Sequence, residues 1–125
     1  MLVMVVDDSR AMRAILRRIV EAIGCETVEA DNGRTALQAL DGMDRMPELV
    51  MVDWNMPELN GLEFIGAVRA RQEWRDITLM MVTTESEQSQ IVRALAAGAH
   101  EYVIKPFTSE VIAEKLAMLG LLSAA

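Results

Sequence analysis

One cysteine, Cys25, is all that the chain offers for thiol chemistry, so it can form no internal disulfide and suits a reducing compartment. No charge-free apolar run approaches the roughly 18 to 20 residues that span a bilayer. The opening MLVMVV is too short for the core of a signal peptide and runs straight into DDS with no basic leader. Positive charge is also short: 12 Lys and Arg face 19 Asp and Glu, for a net charge of -7. That balance excludes the concentrated basic surface that phosphate backbones require. Linkers, repeats and low-complexity segments are missing too. What is left is a single cytoplasmic domain spanning 1–125, with neither nucleic acid nor membrane among its partners. Its 52% hydrophobic and 25% charged residues suit a globular core.

What is present is an alternation of short apolar runs with helical patterns. Candidate strands cover 2–6 (LVMVV), 26–30 (ETVEA), 49–53 (LVMVD), 77–83 (ITLMMVT) and 101–105 (EYVIK). Three of them are nearly continuous in Val, Met, Leu and Ile, as expected of parallel strands covered on both faces. ETVEA alternates with polar residues and reads as an edge strand. In the first helix, Met12, Ile15, Leu16, Ile19, Val20 and Ile23 form one apolar stripe, with Ser9 to cap its start and Gly24 its end. Weaker patterns predict helices over 33–42 (Ala36, Leu37, Leu40), 61–71 (Leu62, Ile65, Val68) and 86–97 (Ile91, Val92 and Leu95 inward). A last helix after Thr108 buries Ile112, Leu116 and Leu119. Five strands alternating with five helices give an α/β fold, a three-layer doubly wound (flavodoxin-like) sandwich. Right-handed crossovers leave few topologies, and the order 2-1-3-4-5 is the common one at this size.

Ligands in such sheets bind beyond the carboxyl ends of the strands. The first strand ends in Asp7-Asp8, the third in Asp53, the fourth in Thr83-Thr84 and the fifth in Lys105-Pro106. Taken singly, each is an ordinary strand terminator. Together, three clustered carboxylates repel, and each resists ionising beside the others. A divalent cation relieves that repulsion, and oxygen-only ligands favour Mg2+, which keeps waters and leaves room for a phosphate. With Lys105 and a hydroxyl alongside, the edge suits a phosphoryl group, and a carboxylate can itself be the nucleophile.

The runs VDDSRAMR, DWNMPELNGLEF, MMVTTESE and GAHEYVIKPFTSEVIAEKL, in that order and at this spacing, resemble the bacterial two-component response-regulator receiver domains. Within that family they are most similar to the stand-alone chemotaxis regulators of the CheY type. The resemblance implies that Asp53 is the phosphorylated residue. Asp7 and Asp8 would hold Mg2+, with Asp53 and the carbonyl of Asn55. Thr83 and Lys105 would each engage a phosphoryl oxygen, and Tyr102 would be the switch aromatic. Lys105-Pro106 falls where the family has a cis peptide. Asn55 and Glu85 match the chemotaxis type and imply a phosphorylated form that is lost quickly. Thr84 departs from the smaller residue often found there, and its bulk narrows access to the phosphoryl group.

The implied partners are a histidine kinase or phosphotransfer domain as donor and a target protein such as the flagellar motor switch. A phosphatase is a further implied partner, and the chain itself is expected to be a monomer. The target would bind the face of the fourth helix, fifth strand and fifth helix, touching Tyr102, Lys115 and Val111 or Met118. Val111 and Met118 are off the inward stripe of the last helix and form an exposed patch beside Tyr102.

Two alternatives remain open, a phosphorelay intermediate and a receiver cut from a larger regulator. An aspartate-nucleophile phosphohydrolase fits poorly, because Asp53 is followed by Trp54-Asn55 rather than by x-Asp, and no cap insertion is present. The chain therefore reads as a signalling switch, not an enzyme, supporting only its own phosphorylation and dephosphorylation. Arg10, Arg13, Arg17 and Arg18 read as a solvated face, His100 as a surface residue, and the ten methionines mostly as core fillers.

Overall fold

Five consecutive apolar residues, Leu2–Val6, form β1, and all five are buried, as both faces of a central parallel strand must be. β3 (Leu49–Val52) and β4 (Thr78–Thr83) are built alike, while β2 (Glu26–Ala30) and β5 (Glu101–Ile104) lie at the two edges. In this computed structural model, which describes residues 1–122, the sheet runs β2-β1-β3-β4-β5 with every pairing parallel. The helices are α1 (Arg10–Ala22), α2 (Gly33–Asp41), α3 (Gly61–Ala70), α4 (Gln88–Ala97) and α5 (Ser109–Met118). Alternation along each strand splits the core in two. Met4, Val6, Val50, Val52, Leu79 and Met81 pack with Leu40, Phe64, Ile65, Val68 and Ala94 of α2, α3 and α4. Val3, Val5, Leu49, Met51, Met80 and Val82 pack with Leu16 and Val20 of α1 and Ile112 and Leu116 of α5.

Local chemistry sets the helix ends. Ser9 Oγ accepts the Met12 N–H at 3.2 Å at the start of α1, and Gly24 follows its end with φ +93°. Thr108 Oγ1 accepts the Val111 N–H at 3.2 Å to start α5. Element bounds differ from the sequence reading by a residue or two. β3 stops at Val52, β4 starts at Thr78, β5 stops at Ile104, and α4 starts at Gln88 rather than 86. α2 and α3 end at Asp41 and Ala70, one residue short of the expected 42 and 71, and a short 3-10 turn, Gln72–Trp74, was not anticipated.

The apolar stripes are narrower than periodicity suggests. On α1, Leu16 and Val20 face the sheet, whereas Ile15 and Ile23 lie at its margin and are exposed. α4 turns the small Ala94 inward, and the expected inward residues Val92 and Leu95 are exposed, Val92 to 57%. A helix seated on alanine approaches through a narrow strip, which carries Leu95, about 100° away, and Val92, on the far side, out to solvent. Leu119 lies just past α5 and is only half-buried.

His100 is at the surface, as expected, but its ring is engaged. The Leu79 N–H donates to its Nδ1 at 3.2 Å, and Arg69 Nη2 lies 3.2 Å from the same nitrogen. Arg69 also donates from Nε to the Gly98 carbonyl at 3.0 Å and from Nη1 to the Arg75 carbonyl at 3.1 Å. Partial burial, and secondarily the Arg69 charge, push the imidazole below its ordinary value. The stability this group supplies is present above the unfolded-state value of about 6.5 and is lost as pH falls below it. The protection of amides at the α3–α4 corner, measured as exchange relative to the intrinsic rate at each pH, is therefore expected to fall in mild acid. His100→Gln, which retains an acceptor but does not titrate, should remove that pH dependence.

Candidate functional site

Register carries the strand ends to one edge. Val6 lies opposite both Ala30 and Val52, and Thr83 lies opposite Ile104, so the residues that follow come out side by side. The Asp7 N–H donates to the Ala30 carbonyl at 3.2 Å and the Asp53 N–H to the Val6 carbonyl at 3.0 Å. Both acids are thus fixed by continuation of the ladder, although the strands proper have ended.

Asp7 and Asp53 are buried and Asp8 is exposed. Each offers one oxygen, and these oxygens lie within 4.8 Å of one another. Lys105 Nζ stands between two of them, 2.8 Å from Asp7 Oδ2 and 3.3 Å from Asp53 Oδ2. Asp7 Oδ1 accepts the Ser9 N–H at 2.8 Å. Burial nonetheless raises the Asp7 carboxyl above its ordinary value, outweighing Lys105 and the Ser9 N–H, while the Asp53 charge adds to the rise. Asp53 Oδ1 is buried with no hydrogen-bond partner among the described residues. An orphaned carboxylate oxygen beside two further carboxylates, one of them open to solvent, fits a hard, oxygen-seeking cation. If so, Asp8→Ala should flatten an Mg2+ titration followed by the fluorescence of the buried Trp54, with the fold unchanged. An unaltered titration would put the cation elsewhere.

Thr83, at the end of β4, is fully buried, and its Oγ1 accepts the Glu85 N–H at 3.3 Å. Thr84 and Asn55 are exposed, Glu85 is half-buried, and Lys105-Pro106 is cis, with Pro106 exposed. Tyr102 is only 8% exposed, and its hydroxyl donates to the Glu85 carbonyl at 2.7 Å. Its phenol is pushed up to about 12, by burial first and by the charges of Glu85 and Asp53 second. Val111 and Met118 are exposed, Met118 to 67%, as are Val92, Leu95 and Ile104, whereas the tyrosine ring itself is turned in. Lys115 Nζ pairs with Glu101 at 3.3 Å.

One contributor was missed in the sequence. Arg13, assigned to a solvated face, donates from Nη1 to the Asp7 carbonyl at 2.6 Å and from Nε to Glu29 at 3.0 Å. Its position six residues after Asp7, within two turns of the strand end, was the available signal.

The model of the response regulator receiver domain matches residues 3–117. The chain belongs to the response-regulator receiver family. As a receiver, it is a phosphoacceptor in two-component signalling. Chemotaxis protein CheY1 of Helicobacter pylori (strain J99) is 41% identical over 117 residues, covering 93% of this chain and 94% of that protein. The CheY homolog of Campylobacter jejuni is 42% identical over 93% of this chain and 89% of its own length. Among solved structures, the chemotaxis response regulator CheY4 of Vibrio cholerae superposes with a TM-score of 0.86 at 30% identity, covering 94% of this receiver and 97% of that chain. No helix among the described residues of the receiver is long and apolar enough to cross a membrane.

Proposed function

We propose that this receiver works alone in a chemotaxis-type histidine–aspartate pathway and that Asp53 is its phosphoacceptor. The observation that carries the assignment is the orphaned Asp53 Oδ1, buried in the cluster with Asp7 and Asp8 while Lys105 engages the other oxygen. An Asp53 oxygen attacks the phosphorus of a phosphohistidine, the phosphorus–nitrogen bond breaks, and the imidazole leaves and takes up a proton. Asp7, Asp8, Asp53 and the Asn55 carbonyl would hold Mg2+, which when bound would supply charge neutralisation for the transfer. Lys105 and the Thr83 hydroxyl engage the remaining oxygens, so the protein contributes position and charge rather than covalent chemistry.

Output follows from Thr83 and Tyr102, which share the backbone of Glu85: its N–H donates to the threonine hydroxyl, and its carbonyl accepts from the tyrosine. Pulling Thr83 toward a phosphoryl group shifts that backbone, and with it the population of inward Tyr102. The target docks on the α4–β5–α5 face, on Lys115, Val111 and Met118 and the margin of Tyr102. The similarity to CheY proteins, covered over 89% or more of their length, supports a cytoplasmic single-domain regulator acting on a flagellar motor switch.

Capture of partners by the beryllofluoride-treated and untreated protein tests this reading. Recovery of a switch component only with beryllofluoride is the expected result. Recovery of a histidine phosphotransfer domain instead would make the receiver a relay intermediate.

A further inference from the structure

The segment 54–60, between the phosphoacceptor and α3, has no regular structure, yet it is pinned at both ends. At one end the Gly61 N–H donates to the Trp54 carbonyl at 2.8 Å, and a Cβ on Gly61 would lie 2.2 Å from the Asp53 carbonyl oxygen. At the other end, the Leu59 N–H donates to the Pro57 carbonyl at 2.7 Å. This closes a γ-turn around Glu58, whose φ is +69°. Such a turn is strained for a residue with a side chain and persists only where its surroundings hold it. The contact that does so is the Gly33 N–H, the first residue of α2, donating to the Leu59 carbonyl at 3.1 Å. A Cβ on Gly33 would lie 2.5 Å from that oxygen and 3.1 Å from its carbon. Both are backbone atoms, and neither can swing aside as a flexible side chain could. The neighbouring Arg34–Glu58 ion pair at 3.4 Å is largely exposed, so it adds little.

We propose that Gly33 is a positioning residue for phosphorylation, its bare α-carbon allowing α2 to seat the strained turn that keeps Asn55 and Asp53 in register with the acid pair. This rests on the reading of Asp53 given above. Glycine is a poor opening residue for a helix. Asn32 already supplies the cap, its side chain accepting the Thr35 N–H at 2.9 Å. What Gly33 adds is room. With a methyl group there, the Leu59 carbonyl has to retreat, the turn around Glu58 relaxes, and the segment carrying Asn55 drifts with it. Displacement of about 1 Å at a reacting centre costs as much as 100-fold in rate.

The test compares wild type, Gly33→Ala and Gly66→Ala, the last at an α3 position with nothing within 4 Å of an added Cβ. Stability, Mg2+ affinity by Trp54 fluorescence, and the rate of phosphorylation by acetyl phosphate are measured where each protein is folded. Gly33→Ala is expected to slow phosphorylation at least about tenfold and to weaken Mg2+ binding, while Gly66→Ala does neither. A wild type that takes no phosphoryl group would refute the assignment of Asp53. A wild type that does, matched in rate and Mg2+ affinity by folded Gly33→Ala, would refute the role of Gly33 alone. If Gly33→Ala does not fold, amide exchange in the wild type decides. Mg2+ with beryllofluoride should slow exchange at the Gly33 N–H selectively over that of Leu40 in the same helix. Equal changes at the two amides would overturn the proposal.

Discussion

Asp53→Asn is expected to acquire no label when incubated with acetyl phosphate and Mg2+, whereas wild type gains a single hydroxylamine-labile phosphoryl group. The substitution preserves shape and removes the nucleophile, since a neutral amide oxygen does not form an acyl phosphate. It should not unfold the protein. Asp53 is one of two buried acids facing a single ammonium, and its charge is among the causes that raise the carboxyl of Asp7. Removing that charge relieves the crowding, so thermal stability should hold or rise. Intact mass before and after hydroxylamine reads the outcome. A stable label on the variant would move the nucleophile to Asp7 or Asp8, or away from the strand edge altogether.

A peptide from the target is expected to bind the beryllofluoride form about 5- to 150-fold more tightly than the untreated receiver, the usual range of allosteric coupling. Tyr102→Ala should bring that ratio close to one. The ring is already inward and hydrogen-bonded to the Glu85 carbonyl. On the switch proposed above, phosphorylation would act by holding this inward position, and a ligand can shift such an equilibrium only by its differential affinity for the two states. Tyr102→Phe separates ring from hydroxyl. It leaves the buried ring but frees the Glu85 carbonyl, so an intermediate ratio is expected. Calorimetry or anisotropy with all three proteins measures it. Equal affinities in the two wild-type states would exclude α4–β5–α5 as the output surface.

The strands were legible because apolar runs such as LVMVV need no partner to be recognised, and their burial on both faces implied the parallel sheet. The acids were legible for a related reason: a charge directly after such a run has to emerge at the strand's carboxyl end. Orientation was less accessible. Val92 and Leu95 satisfy helical periodicity as well as Ala94 does, and only the close seating of α4 decides which of them faces inward. Arg13 looked like one more cation on a solvated face, because its spacing from Asp7 brings it near the strand end without revealing that the Asp7 carbonyl points toward it. Gly33 was silent in the same way. Its significance lies in the Leu59 carbonyl, which reaches it from a distant segment.

The lysine that joins the two acids does so across the whole molecule: Lys105 reaches Asp7 over a separation of 98 residues and Asp53 over 52. The groups converge only after β5 has been added to the edge of β4, the last pairing that a growing chain can make. Contacts this remote in sequence form late, because the loops they close are long. A nascent or partly unfolded chain therefore holds Asp53 without Lys105 beside it and without the Tyr102–Glu85 hydrogen bond. On the assignment proposed for Asp53, competence to be phosphorylated would then report that the fold is complete.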